Sequence, residues 1–461
     1  MTETENRTGN ILGDPRKALI AMVVPIAIGM VVQSLNNFVD AIWVSSIGTA
    51  ALAATGVVFP FFFILIGIGN GLGVGASQAI ARRIGVGDRE GASRVAAQVL
   101  VIGIIVGFAI TAVFALFAEP IFIASGAGMY LDEVMAYGVP IMVCAPIYMT
   151  SFIFSALLRS EGDARRSMVI QVAGVVVHMV MDPILIFGLD MGVEGAAIAS
   201  ALSALMAALM ALMYYASGKM YVSLSFKGFR FDRALDRDIL RVGFPASLEM
   251  VLLSISTLFM NIIIETVDPA NGVAIYTTGW RILDLLMVVA VSFGSALVPI
   301  SAAAFGQRSY ERIRMVYVYA LKYGVTIMVL IAIVAIAAAP ILVHMFTYTD
   351  TTVGLSEEMV RFVRIGCLFL PFSMIGILAS SLFQSVGKGL WSMAATTLRN
   401  FLRVPICFGL ASMMSLTMIW WGVTAGEVIG TTVVAVAGVF ALRYIRRNLE
   451  SMSGVKAGPD Q

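Results

Sequence analysis

The residues best suited to chemistry are few, and apolar sequence surrounds them. Gln33, Asn36, Asn37 and Asp40 fall at i, i+3, i+4 and i+7, which puts all four on one face of a helix. Such a face does not look at lipid; it lines a cavity or packs on a neighbouring helix. Pro25 precedes Asp40 by about four turns, removes one backbone hydrogen bond and offers a hinge. His178 and Asp182 share a second face at i, i+4, and Pro183 follows them. An ionisable side chain at depth in a bilayer is costly and is by default a functional candidate. Asp40 and Asp182 lie at similar depth along their segments. If they meet, both cannot stay charged cheaply, and the pair becomes a proton or Na⁺ site. The competing readings are a polar packing seam for the first face and a histidine satisfied by hydrogen bonds for the second.

The second half carries a different set. Glu249 falls in mid-segment, with Asn261 further along. Arg281 and Asp284, at i, i+3, read as an ion pair. Arg399 and Arg403, at i, i+4, need acidic partners, and Glu249 and Glu427 are the obvious ones. This group reads as a structural network. No Walker A, HExxH or GxSxG motif occurs, and His178 and His344 are the two histidines. The chain thus shows no catalytic residue, no cofactor motif and no means of its own to use ATP. An enzyme would have to rely on scattered carboxylates. Cys144, Cys367 and Cys407 lack metal-ligand spacing and read as free thiols in apolar stretches.

The elements that must position these residues are membrane helices. The 461 residues are 59% hydrophobic and 13% charged, against roughly 25% charged in soluble domains. The mean hydropathy is +0.94. A net charge of +2 is too small to suggest nucleic acid. The 28 methionines suit promiscuous apolar binding, although most read as ordinary packing. Apolar runs near 18–46, 50–81, 92–118, 131–158, 166–189, 192–217, 239–265, 271–303, 314–338, 357–384, 390–413 and 418–442 are each long enough to span a bilayer. Alternate connections are basic: Arg16/Lys17, Arg82 to Arg94, Arg159 to Arg166, Lys219 to Arg237, Arg308 to Arg314, Lys388 and Arg443 to Arg447. The others carry Glu119, Asp132, Glu133, Asp190, Glu194, Glu265, Asp268 and Asp350 and no Lys or Arg. The positive-inside rule then sets both termini in the cytoplasm of a multi-pass protein of the cell membrane.

The chain also repeats itself. Ser155, Ser160 and Gly162 match Ser380, Ser385 and Gly387; Gly85 and Glu90 match Gly306 and Glu311; Pro25 matches Pro245. A parallel repeat of six spans predicts a transporter with a cleft between its halves. The expected division is a tail at 1–17, an N-lobe at 18–218, an inter-lobe loop at 219–238, a C-lobe at 239–447 and a tail at 448–461.

These residues converge on a family. VVPIAIGMVVQSLNNFVDAIWV (23–44), SALLRSEGDARRSM (155–168), HMVMDPILIFG (178–188) and GVEGAAIAS (192–200) resemble the multidrug and toxic compound extrusion (MATE) family, nearest its DinF-like branch in archaea and bacteria. The resemblance runs over about 15–447. It implies an all-α membrane fold of twelve helices in two six-helix lobes forming a V. It implies an N-lobe ion site in which the first-helix Asp is Asp40, the bending-helix Pro is Pro25 and the fifth-helix Asp is Asp182. The sixth-helix hydroxyl falls on Ser200. Two positions depart: an Asn of the fourth helix falls on Ser155, and the fifth-helix Asn falls on His178. The histidine favours H⁺ over Na⁺, because imidazole is a poorer ligand for a hard cation than an amide oxygen. The function implied is antiport of amphipathic organic cations by a monomer through alternating access. The rivals are a lipid-linked oligosaccharide flippase of the same superfamily, which the arginines of the second half keep open, and a membrane enzyme.

Overall fold

The computed structural model describes residues 11–347 and 353–453. Residues 1–10 and 454–461 of the expected tails, and Asp350 of the acidic loops, lie outside them. The first unit holds α1 (Pro15–Ile47), α2 (Thr49–Gly85), α3 (Arg89–Ala124), α4 (Leu131–Val143), α5 (Ala145–Ser160), α6 (Ala164–Pro183) and α7 (Gly192–Ala216). Next come α8 (Arg233–Val267), α9 (Gly272–Gly306), α10 (Tyr310–His344), α11 (Ser356–Cys367), α12 (Leu370–Ser385), α13 (Gly389–Ala411) and α14 (Leu416–Ser453).

Nine of these are long and apolar enough to cross a membrane. Two further spans are broken: α4 and α5 meet at 51°, and α11 and α12 at 49°. α13, at the place of the eleventh apolar run, is less apolar because it carries Arg399 and Arg403. The described residues thus give nine such helices, or eleven with each bent pair taken as one span, against the twelve apolar runs. Their outer faces carry bare apolar side chains such as Leu116, Val334, Ile341 and Phe408, the surface that lipid covers and water does not.

The repeat has a local physical basis. Gly162 and Gly387 close the matched turns at φ of 84° and 75°, where a Cβ is strained. Asp88 accepts from the Gly91 N–H at 2.7 Å to cap α3. The matched Ser309 accepts from the Arg312 N–H at 3.4 Å to cap α10. These side chains satisfy amides that the first helical turn leaves without partners.

Compact packing divides the chain between Met250 and Val251, inside α8. The first part of α8 thus packs with the first unit, where a Cβ at Gly71 of α2 would stand 2.6 Å from the Gly243 carbonyl oxygen. Asp238 of α8 pairs with Arg82 and, at 3.1 Å, with Arg83. Between α5 and α6, Glu161 is buried and accepts from the Tyr215 hydroxyl at 2.7 Å and from the N–H groups of Tyr221 and Val222 at 2.8 and 3.1 Å. It thereby straps the segment after α7 to the basic end of this unit. Burial outweighs these donors and pushes its carboxyl up to about 7.

Candidate functional site

Three helices of the first unit bring the singled-out residues together. α6 packs against both α1 and α7. Asn36 of α1 contributes its Nδ2 at 2.7 Å from His178 Nδ1. Ser200 Oγ of α7 lies 2.8 Å from His178 Nε2. Asp182 Oδ1 is 3.5 Å from the same Nε2. The Asn36 amide and the Ser200 hydroxyl thus occupy the two ring nitrogens of His178. One atom each of Asp40, His178 and Asp182 lies within 4.8 Å of the others.

The cluster lacks donors for its charge. Both carboxylate oxygens of Asp182 and the Oδ1 of Asn36 are buried without a hydrogen-bond partner. Carboxylate oxygens in that state call for a proton or a cation. The two carboxylates and the Asn36 oxygen are hard donors that fit such a cation; the imidazole fits it less well. Pro183 and a single π-turn over Ile184–Gly188 follow Asp182, an irregularity that often marks functional positions in helices. One turn after Asp40 and Asp182, Val44 and Ile186 join Ala51, Val193 and Ala196 in an apolar group, with Trp43 and Tyr137 packed against it.

The other α1 residues divide. Asn36 turns inward, whereas Gln33 and Asn37 are exposed and bond each other at 3.5 Å. α1 runs unbroken through Pro25. Ser155 is placed in a different group. Its hydroxyl meets Arg159 Nη1 at 2.7 Å, Ser167 Oγ at 2.9 Å and Gln171 Nε2 at 2.9 Å. Tyr137 of α4 is a neighbour that residue spacing does not reveal: it packs with Trp43 against the apolar group that contains Ile186 and Val193. The only hint was a tyrosine in an apolar run.

In the second unit Glu427 lies 3.6 Å from Arg399 Nε and 4.0 Å from Arg403 Nη1, and all three are buried. Arg403 also stacks over Trp280 at 5.4 Å. Arg281 and Asp284 form no ion pair; both are exposed. A separation of three residues allows contact on a helix but does not require it. Glu249 is half-buried in the first unit's part of α8. Asn261 keeps a buried Oδ1 without a partner.

Known proteins share this arrangement of helices. The MatE family profile matches residues 25–184 and 245–409. The multidrug export protein MepA of Staphylococcus saprophyticus is 24% identical over 94% of this chain and 94% of its own. A crystal structure of MATE in complex with MaL6 is 32% identical, with a TM-score of 0.94 over 97% of this chain and all of that one (100%). A MOP superfamily transporter from Pyrococcus furiosus, reported as having a binding pocket of reverse polarity that suggests a different function, is 33% identical. Its TM-score is 0.93, over 96% of this chain and 99% of that one. With a profile match over most of its length and solved relatives above 30% identity, this chain belongs to the MatE family of multi-pass membrane transporters, which are not enzymes.

Proposed function

We propose that this protein is a secondary multidrug exporter that exchanges amphipathic organic cations for H⁺ by alternating access. The observation that carries this reading is the cluster of half-buried Asp40 with buried His178 and Asp182, within 4.8 Å and with no hydrogen-bond partner for either Asp182 oxygen. A site of two carboxylates holds either an entering proton or the positive charge of a substrate. Each displaces the other, and that reciprocity is what antiport requires. Protonation of Asp40 and Asp182 from outside removes the attraction for the cationic substrate and frees α1 to bend at Pro25. The multidrug function of MepA supports the substrate class. An imidazole with both nitrogens occupied, in place of an amide oxygen, supports H⁺ over Na⁺. In this reading the Arg-rich ends of the helices face the cytoplasm, and the transporter works as a monomer in the cell membrane.

The test is ethidium efflux from proteoliposomes under an imposed pH or Na⁺ gradient. Efflux under the pH gradient that Asp40→Asn abolishes is the expected result. Efflux by Asp40→Asn at the wild-type rate would sink the proposal. The flippase reading needs a basic surface open to an anionic lipid-linked sugar. Arg399 and Arg403 face Glu427 instead, and so lend that reading little support.

A further inference from the structure

The group that captures Ser155 has a charge and no counter-charge. Arg159 sits on the last turn of α5. An arginine near the end of a membrane helix ordinarily extends toward water. This one turns back a full turn, where Nη1 donates to Ser155 Oγ at 2.7 Å and to Ser167 Oγ of α6 at 3.3 Å. Gln171 donates to the same two hydroxyls at 2.9 and 3.2 Å. Ser155 and Ser167 are buried, and Arg159 is partly open. No carboxylate among the described residues pairs with Arg159. The cluster also abuts α1. A Cβ at Gly29, one turn after Pro25, would lie 3.3 Å from Gln171 Oε1. The guanidinium is thus turned toward the neighbouring helices and not along the axis toward the loop.

The second unit shows that this scaffold does not need the charge. Ser380, Ser392, Thr396 and Gln384 take the matched places. Ser380 and Thr396 hydroxyls meet at 2.7 Å, and Gln384 Nε2 donates to Ser392 Oγ at 3.0 Å. Where the second unit makes do with a neutral amide, the first holds an arginine. A planar guanidinium with its remaining N–H groups unpaired suits the forked geometry of an oxyanion.

We propose that the Arg159 guanidinium, set in place by the Ser155 and Ser167 hydroxyls that Gln171 also engages, receives an oxyanion group, a carboxylate or a phosphate, carried by a transported molecule or by a lipid headgroup. The full-length protein in detergent is titrated separately with inorganic phosphate, with benzoate and with phosphatidylglycerol in mixed micelles. Phosphatidylcholine micelles serve as the reference, and the thermal-unfolding midpoint is the readout. The expected result is a saturable rise for at least one anion, weakened at least tenfold in apparent affinity by Arg159→Gln. A rise with phosphatidylglycerol alone assigns a lipid headgroup; a rise with phosphate or benzoate assigns a soluble oxyanion. Arg159→Lys keeps the charge without the fork, is expected to lose affinity several-fold, and serves where the glutamine variant does not fold. No saturable rise with any anion, or equal affinities in the wild type and either variant, would overturn the proposal. The readout is binding, so its failure is separable from failure of the transport assay.

Discussion

The two units place opposite chemistry at matched positions. The hydroxyl groups around Ser155 and Ser380 set the register between them, and in it His178 falls on Arg403 and Asp182 on Cys407. The register of Pro25 and Pro245 likewise puts Asp40 on Met260 and Asn36 on Ser256. The first unit gathers two carboxylates around an imidazole and offers them no cation. The second sets two arginines against Glu427. A charge balanced within the protein has no need of an exchanging ion. A charge left unbalanced at depth must take one from outside. One fold, used twice, thus yields one unit whose buried arginines meet a carboxylate and one whose buried carboxylates meet no cation.

The sharpest way to break this comparison is to unbalance the second unit. Glu427→Gln leaves Arg399 and Arg403 buried without an anion, and is expected to cost about 3–5 kcal/mol. A large drop in thermal-unfolding midpoint and in yield would register it. An unchanged midpoint would mean that the arginines are already solvated. The reverse change in the first unit is expected to spare stability and lose function. Asp182→Asn removes a buried charge without donors, so the midpoint holds or rises, while gradient-driven ethidium efflux falls at least tenfold. Export at the wild-type rate would place the coupling ion elsewhere.

A third prediction concerns pH. Glu161 has its carboxyl raised from 4.5 to about 7 by burial, so folding takes up a proton between those values. The stability it contributes is complete below about pH 4.5 and is lost as pH rises through about 7, on the order of 3 kcal/mol. The wild-type midpoint should therefore fall between pH 5 and 8, and Glu161→Gln should flatten that part of the profile. The matched position in the second unit is Val386, so no equivalent dependence is expected there. An undiminished slope in the variant would assign it to other groups. The smallest effect tests the symmetry itself. Gly162→Ala and Gly387→Ala each force a Cβ into the left-handed region and are expected to cost about 1 kcal/mol. Clearly unequal losses would show that the two turns are not equivalent.

Much of the fold was legible before any tertiary contact was known. Spacing of apolar residues marked twelve apolar runs because a bilayer imposes a length on each, and the repeat announced itself through turn and cap residues whose backbone demands are local. The site was legible only in outline. Helical spacing put Gln33, Asn36, Asn37 and Asp40 on one face, but which part of that face turns inward depends on where α6 packs, and only Asn36 and Asp40 join the cluster. Arg281 and Asp284 were close enough in sequence to pair, yet both side chains stay exposed and form no ion pair.

Ser155 marks the boundary most clearly. A resemblance assigns it to the ion site, and its position on α5 is compatible with that. The direction in which Arg159 folds back draws its hydroxyl away, and no pattern in one dimension encodes that direction. By itself the sequence determined the apolar runs, their alternating loop charge, the repeat and the presence of costly ionisable groups, because each follows from local composition against a bilayer. The tertiary structure alone decided which charges meet, which are neutralised within the protein and which are left to an exchanging ion. Electrostatic pairing depends on distances of a few ångströms between helices far apart in the chain.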